Sequence, residues 1–424
     1  MEQLAQTKNP KWAEIFKHCF SNTLETTVKP QADGTTYVLT GDIPAMWLRD
    51  SVAQVRPYLL LAKEDHEIRA MITGLVKRQM DFISKDPYAN AFNESPNAAG
   101  HQTDDTKMTP WTWERKYEID SLCYPIQLAY LLYLNTGETS QFDDKFEDAI
   151  KSILTVWEIE IDHHQSGYHF KRDNAWRPED TLTHDGFGPD FGVTGMTWSG
   201  FRPSDDATTY PYLIPSEMFA VVVLGYLEDI FTHIRPDNNE ALKNRVTALK
   251  TQIDQGIHEF GFVKNAAGEK IYAYEVDGLG NQSLMDDANV PNLISAAYLG
   301  YCEKDDEHYL ATRRSLLSKE NPYYYKGTYL KGIGSSHTPK NYVWPIALAM
   351  QGLTAQSKKE QEEILNLLAE TEAGTLAMHE GIDVDNPENY TREWFSWANM
   401  MFCELLMDYF DIRIVTKKQV LENN

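Results

Sequence analysis

Helical periodicity runs through most of this sequence of 424 residues and limits the folds open to it. About twelve segments place apolar residues three or four positions apart, which is the spacing of one face of an α-helix. Residues 142–160 are an example, since Phe146, Ile150 and Trp157 fall in register. Strand-like runs are short and sparse, as at residues 36–39. The pattern predicts an all-α protein in which small β-hairpins occupy connections.

Residues of the kinds that bind ligands concentrate in the loops between alternate helices. This alternation predicts six helical hairpins in a ring, an (α/α)6 barrel, with long functional loops and small β-hairpins at one end. A superhelical solenoid of helix pairs is the alternative, but no fixed-period repeat supports it. No low-complexity linker interrupts the chain, so we expect residues 1–424 to form a single domain.

The composition excludes some classes of partner. The net charge is −24, so nucleic acids and anionic membrane surfaces would be repelled. Ten Trp and 23 Tyr are many for this length, and flat rings pack well on the apolar faces of sugars. Filling a wide core is the alternative use for them. The four cysteines lie far apart in the sequence, so no CxxC metal or redox motif exists.

Targeting signals are not evident in the sequence. The first residues, Met-Glu-Gln-Leu-Ala-Gln, lack a basic region followed by an apolar run, so no signal peptide is predicted. No stretch approaches 18 apolar residues, so no transmembrane helix is predicted. We therefore expect a cytoplasmic protein.

Several loops place acidic residues beside Gly, Ser, His or Trp at predicted helix ends. They are residues 41–51, 194–206, 277–287, 332–338, 374–380 and 392–397. In the first of these, Trp47, Arg49 and Asp50 could present a ring, a cationic fork and a carboxylate at the mouth of a pocket. The alternative is an ordinary helix start, capped by Asp42 and with Trp47 in the core.

Two of these loops carry acids suited to glycoside hydrolysis, which needs two carboxyl groups across the scissile bond. The adjacent Asp205 and Asp206 suit the protonated acid, because a neighbouring like charge raises one pKa. A helix-capping pair is the alternative. Glu380 follows His379 and suits the ionised partner, unless it is only an exposed acid at a helix end. His337 could bind a hydroxyl group or be a satisfied loop histidine.

Metal and cofactor motifs are absent from the sequence. The run Asp286-Asp287-Ala288-Asn289 is loosely similar to a calcium loop, but the glycine and the closing glutamate of an EF-hand are missing. No HExxH, GxxxxGK[ST], GxGxxG or GxSxG motif occurs. We therefore predict no metal and no cofactor.

Taken together, these loops resemble glycoside hydrolase family 125, the bacterial exo-α-1,6-mannosidases. The resemblance runs essentially end to end, and residues 194–206, Thr-Gly-Met-Thr-Trp-Ser-Gly-Phe-Arg-Pro-Ser-Asp-Asp, carry it most specifically. It implies an (α/α)6 barrel that removes non-reducing terminal mannose with inversion and without a metal ion. The implied substrates are α-1,6-mannosides or N-glycan fragments. The alternatives are another (α/α)6 glycosidase, such as a glucosidase or a calcium-dependent α-mannosidase, or a non-catalytic carbohydrate-binding relative.

The same resemblance implies roles for individual residues. The general acid should be Asp205 or Asp206 and the general base Glu380, with Glu393 as the second candidate for the base. Arg49 and Asp50 should bind sugar hydroxyls, since paired hydrogen bonds fix orientation. Further substrate contacts are predicted for Trp47, Trp198, Arg202, Asn281, Ser336 and His337.

Overall fold

Helices make up most of the regular structure in the computed structural model, which describes residues 1–236 and 240–422. The remaining positions of the predicted domain 1–424 lie outside the described residues. The helices are α1 (Glu2–Lys8), α2 (Pro10–Thr26), α3 (Leu48–Val55), α4 (Leu59–Ala62), α5 (His66–Lys85), α6 (Ile119–Thr136), α7 (Asp144–Glu160), α8 (Thr183–Gly186), α9 (Ile214–Asp229), α10 (Glu240–Phe260), α11 (Ala296–Leu299), α12 (Glu307–Leu316), α13 (Pro345–Leu353), α14 (Lys358–Glu370), α15 (Ser396–Tyr409) and α16 (Lys417–Glu422).

The strands are short and pair in small antiparallel sheets of two or three strands. They are β1 (Val28–Pro30), β2 (Thr36–Val38), β3 (Met46–Trp47), β4 (Ala91–Phe92), β5 (Thr112–Glu114), β6 (Tyr212–Leu213), β7 (Phe262–Lys264), β8 (Lys270–Tyr272), β9 (Glu275–Val276), β10 (Gln282–Ser283), β11 (Tyr324–Lys326), β12 (Lys331–Ile333), β13 (Tyr342–Val343), β14 (Gly381–Asp383) and β15 (Asn386–Thr391). The sheets have the orders β1-β2, β3-β4-β5, β10-β9-β6, β7-β8, β11-β12 and β13-β14-β15. The prediction of a helical protein with small β-hairpins is confirmed.

Two kinds of helix are distinguished by their apolar pattern. In α6 every residue from Ile119 to Leu132 is buried, as expected for a helix that is apolar on nearly all sides. By contrast, α10 buries only one stripe, which runs from Leu242 to Ile257. The inner kind forms a row in which α3 packs against α6 and α15, α6 continues to α9, and α15 continues to α13. The amphipathic α5, α10 and α14 cover α6, α9 and α13 from outside.

The small sheets lie where inner helices begin. Strand β3 runs into α3, β6 runs into α9, and β13 is separated from α13 by Trp344 alone. The residues before these helices are extended, and proline within the first two positions of α9 and α13 helps to fix their starts. The loops between strands and inner helices are therefore held near the N-terminal ends of those helices.

The buried apolar residues form one large cluster that extends from Ala5 to Ile414. A second, small cluster consists of Ala45, Trp47 and Ala91, with Ile43 and Trp113 against it. Among the described helices, none combines the length and apolar character needed to cross a membrane.

A pair of helical glycines tests this packing. A Cβ atom on Gly74 of α5 would lie 2.7 Å from Thr36 Oγ1 and 2.9 Å from the Gly34 carbonyl oxygen. We expect Gly74→Ala to lower the free energy of unfolding by about 1–3 kcal/mol, because overpacking outweighs the gain in helix propensity of about 1 kcal/mol. Gly225 of α9 has open space, since the nearest atom is Lys417 Nζ at 3.9 Å. Gly225→Ala should therefore raise the free energy of unfolding by up to about 1 kcal/mol.

Urea denaturation of the two variants measures both changes. A Gly74→Ala protein that is as stable as Gly225→Ala would contradict the close approach of α5 to the β1-β2 hairpin.

Candidate active site

Arg49 is the centre of a buried group of carboxylates. It lies in the first turn of α3 and is 2% exposed. Its Nη1 atom lies 2.6 Å from Glu118 Oε2 and 3.2 Å from Asp120 Oδ2. Its Nη2 atom lies 3.1 Å from Asp205 Oδ1, and its Nε atom lies 3.4 Å from Asp50 Oδ1. Four carboxyl groups therefore share one guanidinium.

Burial determines which of these acids hold protons. It raises the pKa of Glu118 well above its ordinary range, and it raises the pKa values of Asp50 and Asp120 to about 6. Burial acts in the same direction on Asp205, but the Arg49 charge and a hydrogen bond with Glu118 outweigh it. The pKa of Asp205 therefore lies below its ordinary range. These opposite shifts favour the ionised form of Asp205 and the protonated form of Glu118.

This result corrects one sequence-based expectation. Repulsion from Asp206 was expected to raise the pKa of its neighbour, and for Asp205 this is wrong. Asp205 has a left-handed backbone conformation with φ of 64°, and the two neighbouring side chains meet different partners. Lys116 Nζ donates to the Asp205 backbone carbonyl oxygen at 2.8 Å, and Asn90 Nδ2 donates to Oδ1 at 3.3 Å. A non-glycine residue held in such a conformation is typical of a functional site.

Asp206 is fully buried in a separate network. Ser336 Oγ donates to its Oδ2 atom at 2.6 Å, and His337 Nδ1 lies 2.9 Å from Oδ1. Arg177 also donates to Asp206, and it donates to the Ser336 carbonyl oxygen at 2.7 Å. The side chain of Asp205, in contrast, is 23% exposed. Of the two aspartates, Asp205 is the one open to a ligand.

Glu380 approaches the same space from the other end of the chain. Its side chain is 9% exposed and lies 3.6 Å from Arg392 Nη1. Arg392 also pairs with Asp42 at 2.5 Å, which ties the last loop to the first. Glu393 is exposed, and its backbone carbonyl lies 3.2 Å from His379 Nδ1.

Electrostatic effects connect the loops that carry Asp205 and Glu380. Burial lowers the pKa of His337, and the carboxylates of both Glu380 and Asp205 act against that change. Likewise, Asp205 and Arg392, the partner of Glu380, both act on the pKa of Asp50. His337 and Asp50 therefore lie within electrostatic range of charged groups on both loops.

Three predicted substrate contacts lie elsewhere. Trp198 is fully buried, where it stacks on His163 with ring centres 3.6 Å apart, so it is a core residue. Arg202 is buried and pairs through two nitrogen atoms with Glu275, at 2.6 and 3.0 Å. Asn281 is exposed, and its amide donates to Asp277 at 2.6 Å within the β9–β10 hairpin. The structure therefore places Trp198 and Arg202 in the interior and engages the Asn281 amide within its own hairpin, so it does not support a substrate contact for these three residues.

Trp47 corresponds more closely to the alternative interpretation. It is 6% exposed in the small apolar cluster, directly before Leu48, where α3 begins. Its ring supports the first loop and does not form an open wall. The alternative was wrong about Asp42, however, because this residue pairs with Arg392 and does not cap the helix.

The residues that sequence analysis missed surround Asp205. They are Asn90, Glu118, Asp120, Lys116 and Arg177. One signal was available in the sequence. Residues 114–120, Glu-Arg-Lys-Tyr-Glu-Ile-Asp, lead into the buried helix α6 as residues 41–51 lead into α3. Charged residues that directly precede a buried helix must lie at its N-terminal end, which is where the site is.

The two aspartates of the run that is similar to a calcium loop accept hydrogen bonds from groups within the fold. Asp286 accepts hydrogen bonds from the backbone N–H groups of Leu293 and Ile294, and Asp287 accepts one from Ser335 Oγ at 2.6 Å. Within residues 1–236 and 240–422, no group of three His, Cys, Asp or Glu side chains has an arrangement that could hold a metal ion.

Comparison with known proteins gives a consistent result. Residues 9–407 match the sequence model of the metal-independent alpha-mannosidases, GH125. A Streptococcus pneumoniae metal-independent alpha mannosidase, solved in a non-productive complex with alpha-1,6-mannobiose, is 57% identical. Its TM-score is 0.96, and the match covers 97% of both chains.

More distant relatives extend this picture. The Meiotically up-regulated gene 157 protein of Schizosaccharomyces pombe is 37% identical, over 96% of this chain and 84% of that protein. This similarity therefore extends beyond bacteria. Solved structures of a glycosidase that are 11% identical share the fold, with a TM-score of 0.57 over 95% of this chain and 97% of theirs. From the family match and the identity across nearly the whole chain, we conclude that the protein belongs to the GH125 family of metal-independent alpha-mannosidases.

Proposed function

We propose that this protein is an exo-α-1,6-mannosidase that removes terminal mannose with inversion of configuration. The observation that carries the proposal is that the first loop is joined to the partners of both proposed carboxylates, which are 175 residues apart in sequence. Arg49 lies 3.1 Å from Asp205, and Asp42 lies 2.5 Å from Arg392, the partner of Glu380. The relative that is 57% identical was solved with alpha-1,6-mannobiose, which supports the linkage. Inverting hydrolysis requires an acid on one side of the scissile bond and a base on the other.

Asp205 is the proposed general acid, since its side chain is 23% exposed whereas Asp206 is fully buried. Asp206 is held by Arg177, Ser336 and His337 and would support the loop. Glu380 is the proposed base, which removes a proton from the attacking water. For that water to fit, the two carboxyl groups of an inverting pair stand about 6.5–9.5 Å apart.

The first loop is proposed to bind the terminal mannose. Asp50 would accept hydrogen bonds from sugar hydroxyl groups, and His337 would line the same pocket. Arg49 is 2% exposed and surrounded by carboxylates, so we assign it to holding those acids in place and not to contact with the sugar. The long loops at residues 86–114 and 163–210 would close one side of the pocket and favour exo action.

The architecture proposed for this activity is a single (α/α)6-barrel domain. The row of inner helices α9, α6, α3, α15 and α13 and the outer cover of α5, α10 and α14 support a ring of helical hairpins. One apolar cluster from Ala5 to Ile414 supports a single domain. The cytoplasmic location stays a prediction from the sequence.

Product analysis with variants tests the function. We expect hydrolysis of α-1,6-mannobiose to release β-mannose first, as seen by proton NMR before mutarotation. Asp205→Asn and Glu380→Gln should each lower kcat by about 10²–10⁴-fold, because each removes a group that moves a proton. Glu393→Gln is the matched control and should retain kcat within about twofold, because Glu393 is exposed and is not assigned a proton transfer.

Initial release of α-mannose would exclude inversion. Loss of kcat in Glu393→Gln with normal turnover in Glu380→Gln would move the base to Glu393. Faster hydrolysis of α-1,2- or α-1,3-linked mannobiose would contradict the proposed preference for the α-1,6 linkage.

The raised pKa of Asp50 predicts a pH-dependent stability. Its pKa is about 6 in the folded protein and 3.8 ordinarily, so the folded protein keeps this proton between about pH 4 and pH 6 while the unfolded chain has lost it. The stability contributed by Asp50 therefore falls as pH rises through about 6. We expect the free energy of unfolding of the natural protein, relative to Asp50→Asn, to fall by about 1 kcal/mol between pH 5 and pH 8.

Chemical denaturation of both proteins at the two pH values measures this difference. A difference that stays constant, or that grows with pH, would show that Asp50 is already ionised at pH 5.

A further inference from the structure

We infer that a cavity beside Trp176 is a carbohydrate subsite for the part of the substrate beyond the first leaving-group sugar. The inference rests on the proposed function. The cavity has a volume of about 400 Å³ and lies between the two long loops. Its lining residues are His101, Thr103, Asp104, Arg172, Asp173, Asn174, Trp176 and Asp180.

The cavity is connected to the proposed acid and to the proposed mannose pocket. Lys116 Nζ donates both to the Asp205 backbone carbonyl at 2.8 Å and to Asp180 Oδ1 at 2.7 Å, and Asp180 lines the cavity. The ring centres of Trp176 and His337 lie 6.5 Å apart. Because a general acid protonates the leaving oxygen, we place the leaving group toward this cavity, with its first sugar between the acid and the Trp176 rim.

The floor of the cavity consists of paired charges. Arg172 donates to Asp104 at 2.7 and 2.9 Å, to Glu114 at 2.8 Å and to Asp180 at 2.8 Å. These carboxylates are buried, and the Arg172 side chain is 11% exposed. Since each of these carboxylates is already paired with Arg172, the floor offers no unpaired charge to a ligand and suits a neutral sugar.

The rim provides the groups that bind sugars. Trp176 is 70% exposed, and an aromatic ring that far from the core is available for stacking on a sugar face. The Arg177 guanidinium lies 4.6 Å from the ring centre, and Arg177 also donates to Asp206. The ring is therefore held by a residue of the site itself. Thr103 and Asn174 are exposed beside it and can bond to hydroxyl groups.

Substrate length tests this subsite. With α-1,6-linked mannotriose, Trp176→Ala should raise KM about 3–10-fold with little change in kcat, because stacking is lost equally from the ground state and the transition state. With α-1,6-mannobiose both parameters should stay within about twofold. The matched control is Phe187→Ala. Phe187 is 55% exposed in the same long loop but packs on His169, outside the cavity. Phe187→Ala should leave kcat and KM unchanged for both substrates.

An equal rise in the KM of Trp176→Ala for mannobiose and mannotriose would overturn the inference, because the ring would then contact the first leaving-group sugar. No change on either substrate would also overturn it. Calorimetric binding of mannotriose to Glu380→Gln, with and without Trp176→Ala, measures the subsite without turnover. An activity other than α-1,6-mannoside hydrolysis would contradict the proposed function and leave this binding measurement as a separate result.

A second, independent observation concerns the buried acid next to Asp205. We propose that Glu118 is a positioning residue that supplies the proton which Asp205 gives to the leaving group. Glu118 is 1% exposed, and its carboxyl group is hydrogen-bonded to that of Asp205. Asn90 Nδ2 bridges the pair, at 3.5 Å from Glu118 Oε1 and 3.3 Å from Asp205 Oδ1.

The charges around Glu118 favour one shared proton. Glu118 faces Arg49 from α3 and both Asp120 and Ser121 from α6. It also faces Asp205 from the loop before β6, and Asn90 links it to Glu114. Ser121 Oγ donates to Glu118 Oε2 at 2.7 Å. The Arg49 guanidinium is the shared partner of four carboxyl groups, those of Glu118, Asp120, Asp205 and Asp50. Ionising all four would leave buried negative charge without a partner, which costs much free energy. A proton must therefore remain within the cluster, next to the acid that needs one.

The proton passes in two transfers. The Glu118 O–H bond breaks as an O–H bond forms on Asp205. Asp205 then gives that proton to the glycosidic oxygen as the bond from that oxygen to the anomeric carbon breaks, while Glu380 takes a proton from the attacking water. As that bond breaks, the water oxygen forms a bond to the anomeric carbon, so that Glu118 is left ionised and Glu380 protonated. Glu380 then releases its proton to the solvent, and Glu118 takes one up from the solvent before the next turnover.

Leaving-group chemistry tests this role. Glu118→Gln keeps the size and polarity of the side chain but has no acidic proton to transfer. We expect its kcat to fall about 10²-fold or more on α-1,6-mannobiose, whose leaving group must be protonated. On 2,4-dinitrophenyl α-mannoside, whose leaving group needs no proton, kcat should stay within about threefold. The alkaline limb of the mannobiose pH profile should also move to lower pH, because Asp205 alone would then be the acid.

Asp120→Asn is the matched control, since Asp120 shares Arg49 Nη1 with Glu118. It should change kcat by the same factor on both substrates. If Glu118→Gln loses activity equally on the two substrates, or on neither, Glu118 does not supply the proton.

Discussion

The ion cluster around Arg49 is the interaction on which the rest of the site depends. It draws on α3, α6 and the loop before β6, so it fixes their relative positions. Asp50 and Asp120 lie in the first turns of α3 and α6, where the helix dipole favours negative charge. Buried charges that lose their partner are strongly destabilising. The cluster therefore imposes the geometry of the pocket, because any displacement of these helices would expose or unpair a charge.

A second set of ion pairs orders the two long loops. Arg172 links Asp104 in one loop to Asp180 in the other, and Lys116 connects Asp180 to the Asp205 backbone. Long irregular segments in a folded domain are usually functional or disordered. Here buried charge pairs replace secondary structure as the source of order. The same pairs hold the strained Asp205 turn, so the shape of the loops and the position of the acid are set by one network.

The parts of the fold that depend on local periodicity were predictable. The stripe of α7 and the short strands β2, β7 and β8 follow from residue spacing, and the long apolar runs of α6 and α9 required burial. The assignment of Asp205 and Glu380 to one catalytic pair came from the resemblance to a family and stays a prediction, and spacing alone would not have suggested it. A buried ring and a ring in a pocket look alike in a sequence, which is why Trp198 was misassigned.

Pairings between distant residues could not be predicted. Arg202 pairs with Glu275, 73 residues away, and no local pattern indicates this pairing. Adjacent aspartates suggested mutual repulsion, but the left-handed turn at Asp205 gives each a different environment. Glu118 was not predicted as a site residue, because its partners Arg49 and Asp205 lie in other segments.

The contact between Asp42 and Arg392 joins positions 350 residues apart, and a β-bridge between Gly41 and Phe395 lies beside it. The proposed mannose pocket would therefore be completed by the last loop before α15. During synthesis, the early helices can fold while the pocket still lacks a wall and Glu380 has yet to leave the ribosome. The nascent chain thus carries no working site until almost all of it has emerged, so catalysis begins only with the finished polypeptide.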